Sequence, residues 1–200
     1  MTKIQKKKES LIIVLHEIYG INQHIKSFCE ILSDQDYDVI CPNLLEQDGP
    51  FDYSEEMIAY RHFMENVGFM GAVKKIKNLL LDVRVQYRKI YLIGFSVGAT
   101  VAWVCSEEEG LNGIVGYYGS RIRSYKEIVP KCPAILFFPE QEPSFNVDEL
   151  ISYLNRRNIE IHKLNGQHGF SDPYSTKYNA ESSRSAFNET LAFLKKYGEK

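Results

Sequence analysis

Ser96, Glu142 and His168 are the residue types that cooperate in nucleophilic acyl transfer, and they occur in the chain order nucleophile, acid, base. Ser96 is the centre of Gly94-Phe95-Ser96-Val97-Gly98, a G-x-S-x-G sequence between an apolar run and a helical one. That placement predicts a nucleophile elbow, a strained strand-to-helix turn in which glycines two positions either side make room for the backbone. A serine hydroxyl needs a general base, and only His162 and His168 follow the elbow. His162 falls inside an alternating strand pattern and reads as structural. His168 sits in Asn165-Gly166-Gln167-His168-Gly169-Phe170, a loop after the last strand, and is the expected base. The acid is expected after the preceding strand, in Pro139-Glu140-Gln141-Glu142-Pro143. Glu142 is preferred for its reach back toward His168, with Glu140 and Asp148 as alternatives. Its task would be to hold the imidazole tautomer rather than to take the proton.

Negative charge developing on a substrate carbonyl needs donors. The N–H of Val97, at the start of a helix, is one. The loop His16-Glu17-Ile18-Tyr19-Gly20 after an early strand would supply another from Ile18. Glu17 ends a buried strand facing the same mouth and is expected to be a site residue with a perturbed pKa. Tyr19 and Phe95 are expected to line the site.

The elements that must position these groups are short apolar runs alternating with helical patterns. Residues 11–15, 39–41, 89–93, 113–117, 134–138 and 159–164 read as strands, several without polar alternation, as in a parallel sheet covered on both faces. Residues 22–32, 73–83, 97–105, 147–157 and 180–197 read as helices; Ile25, Phe28, Cys29 and Leu32 make one apolar face of the first. This alternation predicts one α/β domain over residues 1–200, with a mostly parallel central sheet and helices on both faces. Residues 1–10, with Lys3, Lys6, Lys7 and Lys8, read as a flexible basic tail, too weak in apolar length for a secretory signal. The irregular stretch 42–70 reads as a loop plus a short helix, its Phe51, Tyr53, Tyr60, Phe63 and Phe69 available as pocket walls.

The 200 residues carry 24 Lys+Arg against 26 Asp+Glu, a formal net charge of −2. That balance gives no reason to expect a nucleic-acid or membrane partner. No apolar run approaches the ~18 residues of a transmembrane helix. The four cysteines are widely spaced with no C-x-x-C, so zinc and dithiol chemistry are not expected, and a cytoplasmic setting is.

Taken together, Val14-Leu15-His16-Glu17-Ile18-Tyr19-Gly20-Ile21-Asn22, the elbow, Gly113-Ile114-Val115-Gly116-Tyr117-Tyr118-Gly119 and Gly166-Gln167-His168-Gly169-Phe170 resemble the dienelactone hydrolase family. The likeness runs from about Leu11 to the end of the last helix. It implies the α/β-hydrolase fold without a large cap domain, a triad at Ser96, Glu142 and His168, and Glu17 close to the nucleophile. Two departures stand out. The family's best-known members carry cysteine where this chain has Ser96, and their Gly-x-x-Asp acid loop is here Pro139-Glu140-Gln141-Glu142. An arginine for a substrate carboxylate is not assigned by the resemblance; Arg61 and Arg121 are candidates, and Tyr118 is a further substrate-binding candidate.

The expected activity is hydrolysis of small esters, lactones or thioesters through an acyl-enzyme, with no metal or organic cofactor and a monomeric or small homo-oligomeric state. The rival expectation is a catalytically weak binding protein on the same fold.

Overall fold

The computed structural model describes residues 1–6, 9–155 and 159–198. Seven strands form one sheet in the order β1-β3-β2-β4-β5-β6-β7. They are β1 (Thr2–Ile4), β2 (Ser10–Leu15), β3 (Asp38–Cys41), β4 (Lys89–Phe95), β5 (Gly113–Tyr117), β6 (Ala134–Gln141) and β7 (Ile159–Gln167). Every neighbouring pair is parallel except β1 with β3. The helices are α1 (Gln23–Asp34), α2 (Glu56–His62), α3 (Gly68–Val83), α4 (Val97–Cys105), α5 (Val147–Leu154) and α6 (Ala180–Gly198).

The strands read as unbroken apolar runs because both faces are covered. Leu11, Ile13 and Leu15 face a core shared with α3, α4 and α5, while Ile12 and Val14 face a second core under α1 and α6. Helix α4 is buried along its whole length, as its lack of any polar stripe requires. The chain leaves β2 toward β3 on one side and β4 toward β5 on the other. A crevice therefore opens at the carboxyl ends of β2 and β4, where the loops after the two strands diverge. This architecture is the α/β fold expected from the sequence.

Three local expectations are corrected. The first residues are not a free tail: Thr2–Ile4 adds an antiparallel edge strand to β3. Its anchor is Asp38, 1% exposed, whose carboxylate accepts from the Lys6 N–H at 2.6 Å and the Tyr87 hydroxyl at 2.9 Å. Lys7 and Lys8 lie outside the described residues, as does the expected end of the fifth helix at Arg157. The 42–70 stretch is more helical than its glycines and prolines implied: a 3-10 turn (Tyr53–Glu55), α2 and a π-helical turn (Phe63–Val67) lead directly into α3. Asp52 and Glu55 form a reciprocal capping box that starts this run. Phe63 and Phe69 are spent on the core rather than on a pocket wall. Among the described residues no helix is long and apolar enough to cross a membrane.

Replacing Asp38 by Ala removes the acceptor of two part-buried hydrogen bonds, at a cost of about 0.5–1.5 kcal/mol each. Thermal melts of Asp38→Ala are expected to fall by several degrees, at roughly 2–4 °C per kcal/mol for a chain of this size. An unchanged midpoint would show that β1 is not held through this carboxylate.

Candidate active site

The turn between β4 and α4 is the tightest contact in the crevice. A Cβ on Gly94 would lie 2.2 Å from the Gly98 carbonyl oxygen, and one on Gly98 would lie 2.2 Å from the Leu15 carbonyl oxygen. Both positions therefore have to be glycine for α4 to start where it does. Ser96 between them is held at φ 53°, ψ −111°, a strained conformation for a residue with a side chain. Its N–H is fixed by the Tyr117 carbonyl at 2.9 Å. The result lifts the Ser96 hydroxyl clear of the sheet edge.

His168 and Glu142 reach Ser96 from the next two strand ends. Strand β6 runs past residue 138, where the sequence pattern stops, to Gln141, and β7 runs to Gln167. Pairing shifts from Pro139 opposite Leu164 to Gln141 opposite Gln167, so β7 gains one residue over β6 at an irregularity. That slip sets Glu142 and His168, the residues following each strand, side by side. His168 Nδ1 lies 2.8 Å from Glu142 Oε2, and His168 Nε2 lies 2.8 Å from Ser96 Oγ. The carboxylate's other oxygen accepts from Ser144 Oγ at 2.8 Å. Burial pushes the Glu142 carboxyl up, but His168 and the Ser144 donors outweigh it and hold it below its ordinary range. Of the three candidate carboxylates, Glu142 is thus the one in contact with His168. Glu140 is exposed, and Asp148 points away to Lys163 at 2.7 Å.

The loop after β2 is set by a buried histidine. His16 Nδ1 is 2.6 Å from the Glu17 carbonyl, which can only accept, and Nε2 accepts from the Leu44 N–H at 2.9 Å. The ring is therefore neutral with its proton on Nδ1. Burial pushes its pKa down from 6.5 to about 4. The loop it pins brings Ile18 into the same cleft as Val97 and Ser96.

Glu17 is 5% exposed and accepts from the Tyr118 hydroxyl at 2.8 Å. Having donated, that hydroxyl accepts from Ser171 Oγ, also at 2.8 Å. Burial raises the Glu17 carboxyl above its usual range despite His24 and the Tyr118 bond. A second buried carboxylate, Asp172, accepts from the Tyr53 hydroxyl at 2.5 Å, and Tyr53 in turn accepts from Asn22. Asp172 was not a sequence candidate, since nothing in its loop position distinguishes it from a solvated charge.

The main cleft is about 340 Å³ and is lined by Ile18, Tyr60, Ser96, Val97, Arg121 and His168, among others. A recess of about 50 Å³ beside it carries Glu17, Tyr19, Tyr53, Glu56, Asp172 and Lys177. Tyr19 lines the site as expected. Phe95 does not: strand alternation turns it into the core beneath α1, stacked on Tyr117 at 4.7 Å. Arg61 lies on the exposed face of α2, outside the residues lining either space, whereas Arg121 lines the cleft and donates to Tyr60 at 2.6 Å. Tyr118 is fully buried, donates to Glu17 and packs its ring 5.0 Å from that of His168. Lys177 and Glu56 were missed because their loop and helix carry no motif. All four cysteines are buried and unpaired. Among the described residues no cluster of His, Cys, Asp or Glu is arranged to hold a metal ion.

Against known proteins, the sequence model of the dienelactone hydrolase family matches residues 1–198. The chain belongs to that family. It is 40% identical to the uncharacterized protein YczH of Bacillus subtilis over 188 residues, covering 92% of this chain and 90% of that protein. It is 24% identical over 148 residues to a carboxymethylenebutenolidase of Pseudomonas putida, covering 68% and 62% of the two chains. Among solved structures, the fold matches a dienelactone hydrolase-like promiscuous phosphotriesterase, P91, from metagenomic libraries, with a TM-score of 0.75 at 14% identity over 96% of this chain and 88% of that one. It also matches a cold-adapted esterase from an Arctic intertidal metagenomic library, with a TM-score of 0.72 at 13% identity over 95% and 83%. Membership makes this chain a hydrolase acting on ester bonds.

His16 gives a pH test of the loop. Its folded pKa lies below the unfolded value, so its neutral form stabilises the fold fully above about pH 6.5, and that contribution is lost as pH falls toward 4. In an NMR titration the ring signals of His16 are expected to have a midpoint near 4. A midpoint near 6.5 would mean that the ring is solvated and does not pin the loop.

Proposed function

We propose that the protein is a serine hydrolase that cleaves small esters, lactones or thioesters through an acyl-enzyme on Ser96. The observation that carries this reading is the unbroken hydrogen-bonded series Ser96–His168–Glu142, 2.8 Å at each step, opening on the cleft.

The Ser96 oxygen attacks the substrate carbonyl carbon as its proton passes to His168 Nε2. Glu142 holds the proton on Nδ1 and stabilises the imidazolium that forms. The carbonyl oxygen, now negative, is held by the N–H groups of Val97 and Ile18. Val97 is the first residue of α4, so the helix has no use for that donor. Collapse of the tetrahedral adduct breaks the bond to the leaving oxygen or sulfur, which takes the proton from His168. Water then attacks the acyl-Ser96 ester with His168 as base, releasing the acid and restoring the hydroxyl.

Serine replaces a thiol as nucleophile without a substitute among the cysteines: all four are buried. Burial raises the thiols of Cys105 and Cys132 to about 12, far from the thiolate form. Lactone cleavage enters this reading from the family and from the relatives named carboxymethylenebutenolidase. The recess beside Ser96 sets Glu17, Glu56 and Asp172 against Lys177 alone, which favours uncharged acyl groups over anionic ones.

A fluorophosphonate probe is expected to label Ser96 alone and to abolish hydrolysis of a p-nitrophenyl ester, while iodoacetamide leaves hydrolysis intact. Ser96→Ala and His168→Ala should each lower kcat by about 10⁴–10⁶, and Glu142→Gln by up to about 10⁴. Glu140→Gln and Asp148→Asn should stay within about twofold, since neither touches the imidazole. A folded protein that takes no probe, or one that loses hydrolysis only in Asp148→Asn, would overturn the assignment.

A further inference from the structure

A second cavity of about 260 Å³ lies on the opposite side of the sheet, under α1 and α6. Its walls come from matched helical stripes. His24, Ser27, Phe28 and Ile31 have the i, i+3, i+4, i+7 spacing on α1, and Ala180, Ser183, Arg184 and Phe187 repeat it on α6. Phe28 and Phe187 meet edge to face at 5.7 Å, while the small Ser27, Ala180 and Ser183 stand where large side chains would close the gap between the helices. The space is apolar in most of its lining and stays open: Ile31 is 46% exposed and Tyr178, on its rim, 43%.

Besides its serines, two groups with unmet polar capacity, Arg184 and His24, break this apolar surface. Arg184, exposed on α6, lines the cavity and, among the described residues, has no ion-pair or hydrogen-bond partner. On the inner wall, buried His24 has an Nδ1 with no hydrogen-bond partner, 3.7 Å from Asp172 and so beyond hydrogen-bond reach. Ser171, at the same wall, is hydroxyl-bonded to Tyr118. An apolar slot with one free guanidinium at its edge has the complementarity of an amphiphilic anion. A carboxylate meets Arg184 with two parallel N–H donors, and its hydrocarbon body displaces water from the slot.

We propose that this cavity is a binding site for small carboxylates with an aromatic or branched apolar body, separate from the Ser96 cleft. The cavity and the cleft, with its Ser96, Val97 and His168, share no lining residue. They are divided by the buried wall of Glu17, Tyr118, Ser171 and Asp172. The site is argued from its own walls and stands whether or not Ser96 is the nucleophile.

The test is an amide NMR titration of the full chain with 3-phenylpropionate, and with uncharged 3-phenylpropanamide beside it. Shifts are expected along α1 and the first turns of α6, saturating with the acid and much weaker with the amide. Arg184→Gln should weaken binding of the acid by about tenfold or more, and Arg121→Gln, at the cleft, should not. Ser27→Phe, whose fold the same spectrum checks, should fill the slot and remove the response. Shifts centred on the Ser96 and His168 loops, or lost in Arg121→Gln, would place the acid in the cleft and overturn the proposal. So would equal binding of the amide, no response at tens of millimolar acid, or concentration-dependent shifts of α1 and α6 without ligand, which would mean that a second copy of the chain covers the cavity.

Discussion

The contact on which the site depends is backbone against backbone: the first turn of α4 presses on the ends of β4 and β2 with no room for a side chain at Gly94 or Gly98. A close approach of this kind excludes water and leaves carbonyls and N–H groups at fixed spacing, so it sets positions that side-chain packing alone would leave loose. It forces Ser96 into its strained backbone conformation, places the Val97 N–H beside the loop carrying Ile18, and aims the Ser96 hydroxyl along the sheet edge. The cost of that strain is of order 1–3 kcal/mol. It is borne by two buried cores and by an α4 enclosed on every side.

The second constraint is a one-residue irregularity between β6 and β7. Without it, the residue after Gln141 would face Gln167 and the imidazole would lie one position further on. With it, Glu142 and His168 meet at 2.8 Å. Behind them, a largely buried polar wall holds two carboxylates in different ways. Glu17 rests on a phenol donor with its pKa raised, and Asp172 accepts from Tyr53. Such a wall rigidifies the floor of the cleft, since each buried polar group removed would leave a partner unsatisfied.

What the sequence disclosed follows from how local each signal is. The elbow was legible because the glycines and the serine lie within five residues, and His168 because its loop is short and comes last. The family resemblance, with its fold, was legible from motifs spread along nearly the whole chain. The choice among Glu140, Glu142 and Asp148 rested on a strand end that the apolar pattern misplaced: Pro139, Glu140 and Gln141 are polar or proline yet continue β6 because β7 pairs with them. Strand β1 was hidden because its register is fixed by Asp38 and Tyr87, far away in the chain. Phe95 was assigned to the pocket by its nearness to Ser96, but alternation along β4 turns it to the other face. Arg61 failed in the same way, being one residue from Tyr60, which does line the cleft.

In the proposed mechanism Glu142 fixes the His168 tautomer so that Nε2 is free to take the Ser96 proton. Long-range 1H–15N correlation spectra of the imidazole rings at neutral pH test it directly. With Glu142 as acceptor the His168 proton is expected on Nδ1, with a change in that signature in Glu142→Gln but not in Asp148→Asn. A His168 that carries its proton on Nε2, or that is indifferent to Glu142→Gln, would contradict it.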